Sequence, residues 1–145
     1  MNGSVSAAVL GSADGVTSIA GVIAGGAAAH VSHVALGVTA VGGALAATVS
    51  MGGAEMLAQD TTDWPAVAAM GVGTLGGSAL PALPLLVASG PVAWLAIVGL
   101  SIGFGVAVGA VRARTTHRSF WTAAAQTLGV LAAGGLVGFG AGRFL

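Results

Sequence analysis

The sequence predicts an all-α, polytopic membrane protein with five transmembrane helices. Three observations lead there. The first is composition: of 145 residues, 56% are hydrophobic and only 6% are charged, and the mean hydropathy is +1.00. A soluble domain of this length needs a polar surface larger than its core. Four acidic and four basic side chains cannot cover one. A bilayer removes the requirement, because the outer surface can then be apolar. The second is the presence of five apolar runs of the ~20 residues that span a membrane. The third is that every polar break between them is short, so sequential helices are expected to be antiparallel neighbours. The spans fill the sequence as a single transmembrane domain over 1–145.

The first span is expected over residues 5–29, ended by His30-Val-Ser-His33. Its one charge is Asp14. A helix that began after Asp14 would keep only about fifteen residues, too few to cross, so Asp14 belongs inside it. The second span covers 34–57 and ends at Gln59-Asp-Thr-Thr-Asp63. The third covers 64–87, opening on Trp64-Pro65, where a first turn tolerates proline. It contains Pro81 and Pro84, which remove backbone donors and bend a helix. The fourth covers 91–111 and is ended by Arg112-Ala-Arg-Thr-Thr-His-Arg118; the fifth covers 119–142. Trp64, Trp94 and Trp121 each fall near a helix start, as interfacial aromatics do. Pairs of glycines four apart recur: Gly11/Gly15, Gly21/Gly25, Gly73/Gly77, Gly99/Gly103, Gly105/Gly109 and Gly134/Gly138. In lipid such pairs let helix backbones approach closely. So small a protein needs company to enclose a pathway, and a homodimer with helix one at its axis is the expectation.

Arg112, Arg114 and Arg118 cluster between the fourth and fifth spans, and the positive-inside rule makes that loop cytoplasmic. The break at 59–63 and the N-terminus then share that side, and the C-terminus lies outside. Lysine is absent while Ala, Gly and Val abound, which fits a GC-rich prokaryotic genome and hence a prokaryotic cell membrane. The first apolar run has no basic residue before it and reads as mature protein rather than a signal peptide. A net charge of zero offers no field for nucleic acid. No cysteine is present for a disulfide, a zinc ribbon or a thiolate nucleophile. Gly71-Val-Gly73-Thr-Leu-Gly76 matches the dinucleotide fingerprint, but that motif needs a preceding strand, and here it lies in a span. No Ser/His/Asp set, HExxH or Walker loop occurs, so enzymatic activity is not expected, and neither is a bound cofactor.

Asp14 is the informative residue, because a carboxylate at membrane depth is costly and is usually functional. Its bland alternative is a cap on a shorter helix. Met51 and Glu55 are four apart and share one helix face, with Glu55 near the cytoplasmic end and Met51 one turn deeper. Antiparallel packing of the first two helices is expected to bring Asp14 and Met51 to similar depth. Carboxylate oxygens suit most divalent ions, and a thioether tilts the preference toward transition metals. Packing for Met51 and snorkelling for Glu55 are the bland alternatives. His30 and His33 could bind metal but read as solvated loop histidines. Asp60 and Asp63 could attract cations at the cytoplasmic mouth but read as loop and capping residues.

These stretches together resemble the vacuolar iron transporter family. Asp14-Gly-Val-Thr-Ser18 looks like that family's first-helix Asp-Gly-Leu-Val-Ser. Ser50-Met51-Gly-Gly-Ala-Glu55-Met56 is similar to its second-helix Ser-Met-Ala-Ala-Gly-Glu-Tyr. Gly77-Ser-Ala-Leu-Pro81-Ala-Leu-Pro84 looks like its third-helix double-proline motif, and Gly142-Arg143 matches the end of its fifth helix. The resemblance implies a homodimer with a metal path along the two-fold axis, exporting Fe2+ or Mn2+ from the cytoplasm in exchange for protons. It implies Asp14, Met51 and Glu55 as metal ligands. Pro81 and Pro84 are read from the sequence as a gating kink, with a structural kink that plays no part in motion as the bland alternative. The chain departs from the family at 58–63, which is too short for the cytoplasmic helical domain of many relatives. A passive divalent-cation channel and a non-transporting membrane scaffold are the rival readings.

Overall fold

The computed structural model describes residues 3–58 and 63–144, and every regular element among them is helical. The helices are α1 (Gly3–Ala28), α2 (His33–Leu57), α3 (Trp64–Val87), α4 (Gly90–Thr116) and α5 (Phe120–Phe144). All five are long and apolar enough to cross a membrane. Their outward surfaces carry side chains such as Val72, Leu95, Leu136 and Val137, each more than two-thirds exposed. Water would penalise that surface and hydrocarbon does not; the protein is a multi-pass membrane protein. Trp64 and Trp121 begin helices at one end of the bundle and Trp94 begins one at the other, all three partly or largely exposed.

Local chemistry sets the helix ends. Ser32 Oγ accepts from the Ala35 N–H (3.3 Å) at the start of α2. Asp63 Oδ1 accepts from the Ala66 N–H (3.3 Å) at the start of α3, so Asp63 is a helix cap. Asp60 lies outside the described residues, with the rest of segment 59–62. Inside the spans, hydroxyls turn back onto their own helix. Ser12 donates to the Ala8 carbonyl, Thr48 to Ala44, Thr74 to Met70 and Thr127 to Ala123.

One boundary differs from expectation. α4 does not stop at residue 111 but runs to Thr116, carrying Arg112 and Arg114 on the helix. A charge ends the lipid-facing stretch of a helix, not its hydrogen-bond ladder. Arginine is a good helix former, and Arg114 in the last turn complements the helix dipole. Termination comes from His117, whose φ of 53° is left-handed.

The order of packing also differs. Sequential helices are antiparallel, yet α1 packs most extensively on α3 and then α5, with less against α2. Glycine explains the choice. A Cβ on Gly11 would lie 2.8 Å from Thr74 Oγ1, and one on Gly15 would lie 2.8 Å from Ser78 Oγ. Reciprocally, Gly73 lies against the backbone of Ala8 and Gly77 against that of Ser12. Higher up, Gly21 and Gly25 meet Gly134, Gly138 and Gly142 of α5. The glycine pairs of α1 are therefore used within one chain. Gly105 and Gly109 pack on Leu128 and Ala124 of α5, while Gly99 and Gly103 have nothing within 4 Å and face outward. The core is made of Ile19, Ile23, Leu36, Ala40, Ala44, Ala82, Leu85 and Ile97 from α1 to α4.

Candidate functional site

Asp14 lies about 17 Å along α1 at 1.5 Å per residue, near the middle of a 26-residue helix. Its place on the helix surface follows from steps of four. Leu10, Asp14, Ser18 and Val22 form one ridge, on which Leu10, Ser18 and Val22 are exposed and Asp14 is half-buried. The adjoining turns are fixed, by Gly11 and Gly15 on α3 and by Thr17 and Gly21 on α5. The carboxylate is thus held on a rigid backbone, in an otherwise unpacked ridge. Among the described residues it makes no hydrogen bond or ion pair.

Met51 and Glu55 share a face of α2, as their spacing requires. Met51 packs against a cluster of Ala7, Ala66 and Met70, in the wedge between α1, α2 and α3. Glu55 is half-buried, one turn nearer the helix end. The structure does not bring this pair to Asp14 within one chain. Ile19 meets Gly43 and Gly26 meets Leu36, a register that sets Asp14 level with Thr48. Met51 is therefore about 5–10 Å nearer the Ala7 end rather than at the same depth. The α1 face toward α2 is also wrong for a meeting: at 100° per residue, Ile19 is about 140° around the helix from Asp14. Sequence spacing fixes which residues share a face of one helix. It does not fix the register between two helices, which here follows the glycine contacts.

Pro81 and Pro84 are buried within α3, which stays helical through both. Their rings leave the carbonyls of Gly77 and Leu80 without the usual partner four residues on. Beside them is a residue that sequence reasoning passed over. Ser78 Oγ is fully buried, faces Gly15, and has no hydrogen-bond partner among the described residues. The available signal was its position between Thr74 and Pro81, on the α3 stripe of small residues. An unpartnered buried hydroxyl thus adjoins the turn that carries Asp14. His30 ends α1 in a left-handed conformation (φ 58°) and is exposed, while His33 opens α2. No group of three or more His, Cys, Asp or Glu side chains converges among the described residues.

No known family model, curated protein or solved structure matches this chain. Chemistry must therefore be argued from the geometry. Each chain offers one carboxylate at mid-membrane depth, without a basic partner among the described residues. Such a charge needs a cation, a proton or a covering partner. Two oxygens are too few for a divalent ion, which takes four or more ligands.

Proposed function

We propose that the protein is a dimeric transporter of a divalent transition metal, Fe2+ or Mn2+, exporting it from the cytoplasm in exchange for protons. The observation that supports this reading is Asp14: an unpartnered carboxylate, rigidly held, in the middle of an outward ridge of a spanning helix. A ridge of Leu10, Asp14, Ser18 and Val22 facing lipid would be costly. Two copies apposed along it cover the cost and set two carboxylates across an axis. A metal ion and protons compete for those oxygens, so loading one releases the other, and exchange needs no further machinery. Glu55 and Met51, one to two turns closer to the arginine-bearing end, serve as a capture station before the paired carboxylates. The thioether favours the softer ions. Pro81 and Pro84 supply the flexible element of α3 that lets the bundle rock. The arginine-bearing end and the N-terminus are cytoplasmic in this scheme, and the C-terminus is outside, in a prokaryotic cell membrane.

The test is metal flux into liposomes, with and without a pH gradient, for the wild type and Asp14→Asn. The variant keeps shape and loses charge, and flux is expected to fall at least tenfold. Flux that ignores the pH gradient would mean a channel. Undiminished flux in Asp14→Asn would make the carboxylate structural and end the transporter reading. The chain has no cysteine, so Ser18→Cys gives a clean readout of assembly. Oxidation should cross-link two copies through that ridge.

A further inference from the structure

Two cavities run end to end between α1, α4 and α5, on a side of α1 that meets the transport ridge only at Leu10. The first, about 420 Å3, is lined by Ser6, Val9, Ala13, Arg112, Thr116 and Thr127 among others. The second, about 570 Å3, is walled by Ala20, Ile23, Trp94, Ile102 and Phe139. Leu131 borders both, so the two lie next to each other. α1 and α4 touch only lightly, which leaves this space open.

Arg112 is the charge in the crevice. Its guanidinium is half-buried and donates one hydrogen bond, to Thr127 Oγ1 at 3.4 Å. It makes no ion pair with any described residue. A guanidinium has five N–H donors in a fork shaped for phosphate, so most of its capacity is unused. The hydroxyl of Thr116, which lines the same cavity, gives its proton to the Arg112 carbonyl. Arg114 and Arg118, by contrast, are exposed and line neither cavity.

The walls beyond Arg112 say what kind of anion fits. They are carbon-rich: Val9, Ala13, Val16, Val130 and Leu131 line the cavity beyond the arginine. A free phosphate would leave them empty. An acyl chain confined to one leaflet covers about half of the ~30 Å hydrocarbon layer, or about ten residues of α4. Counted from Arg112, that reaches Ile102, where the second cavity begins. We propose that the first cavity binds one anionic phospholipid, its phosphate on Arg112 and one acyl chain reaching Leu131. Basic pockets between spanning helices are used for anionic headgroups in this way.

The experiment is native mass spectrometry of the full chain in mild detergent, titrated with phosphatidylglycerol, phosphatidylcholine or inorganic phosphate. Phosphatidylglycerol is expected to bind severalfold more tightly than phosphatidylcholine: both offer Arg112 a phosphate, but the choline cation offsets that charge and repels the guanidinium. Arg112→Gln should erase that preference, and Arg112→Lys should keep part of it. Arg114→Gln and Arg118→Gln should leave it intact. Ala13→Phe fills the first cavity without touching charge and should weaken phosphatidylglycerol binding; it carries the test if Arg112→Gln fails to fold. Equal binding of the two lipids would overturn the proposal. So would a preference that survives Arg112→Gln, phosphatidylglycerol binding undiminished by Ala13→Phe, or displacement of the lipid by inorganic phosphate.

Discussion

Gly15→Ala adds one methyl group at the point where α1 and α3 are closest to the candidate carboxylate. In an isolated helix the change favours folding, since alanine exceeds glycine by ~1 kcal/mol in helix propensity. The contact geometry opposes it. The new Cβ would lie 2.8 Å from Ser78 Oγ and 3.0 Å from the Ser78 backbone nitrogen, and against the Thr74 carbonyl. A side-chain oxygen can rotate away, but backbone atoms cannot, so the helices must separate. Overpacking of this kind costs ~1–3 kcal/mol, and separation also loses the contacts of Gly11, Gly73 and Gly77. The expected net effect is destabilisation of ~1–2 kcal/mol. Gly99→Ala is the internal control, because nothing lies within 4 Å of its Cβ position. It should gain up to ~1 kcal/mol from propensity alone. Helix loss followed by circular dichroism, on heating in a fixed detergent, ranks the variants. A Gly15→Ala protein as stable as the wild type, or a Gly99→Ala protein less stable than Gly15→Ala, would refute the glycine-locked contact between α1 and α3. Metal flux should fall with Gly15→Ala too, because the turn carrying Asp14 moves with it.

Met51→Leu keeps volume and removes sulfur, so stability should change by less than ~1.5 kcal/mol. Flux of Fe2+, Co2+ or Zn2+ should drop more than flux of Mn2+, and a uniform change across metals would deny the thioether a ligand role. Glu55→Gln should raise the metal concentration needed for half-maximal flux more than it lowers the maximal rate, as measured by flux against metal concentration. His117→Gly should raise the melting temperature by relieving a left-handed histidine worth ~1 kcal/mol, and His117→Val should lower it. Single cysteines at Ala58 and His117 should react with the same impermeant reagent from the same side; opposite sidedness would contradict the five-span topology.

Much of the fold can be read directly from the chain. Hydropathy and length locate all five helices, since a span needs only enough apolar residues, and the structure agrees for each. Where expectation and structure part, at Arg112 and Arg114, the cause is that polarity marks the edge of a bilayer whereas hydrogen bonding marks the end of a helix. Helix partnership was less legible. The glycine pairs announced close packing but not its target, and α1 spends them on α3 and α5. Asp14 was visible because a lone acid in an apolar run stands out. Ser78 was not, because serine is common among small residues and only its burial beside Gly15 makes it unusual. Arg112 was visible as a charge, but not as the wall of a cavity.

The two glycine seams of α1 differ in when their partners exist. The helix closing the upper seam is synthesised well after α3: Gly21 waits for Gly138. At ~5–20 residues per second, the ribosome takes roughly 6–23 seconds to cover that interval. Until then the upper half of α1 is a naked groove in the bilayer, open to any small-residue helix that diffuses past. The lower seam, to Gly73 and Gly77, can form in about half the time. Assembly of the bundle therefore has a built-in order, in which α1 and α3 dock first and α5 closes over them afterwards as a clasp.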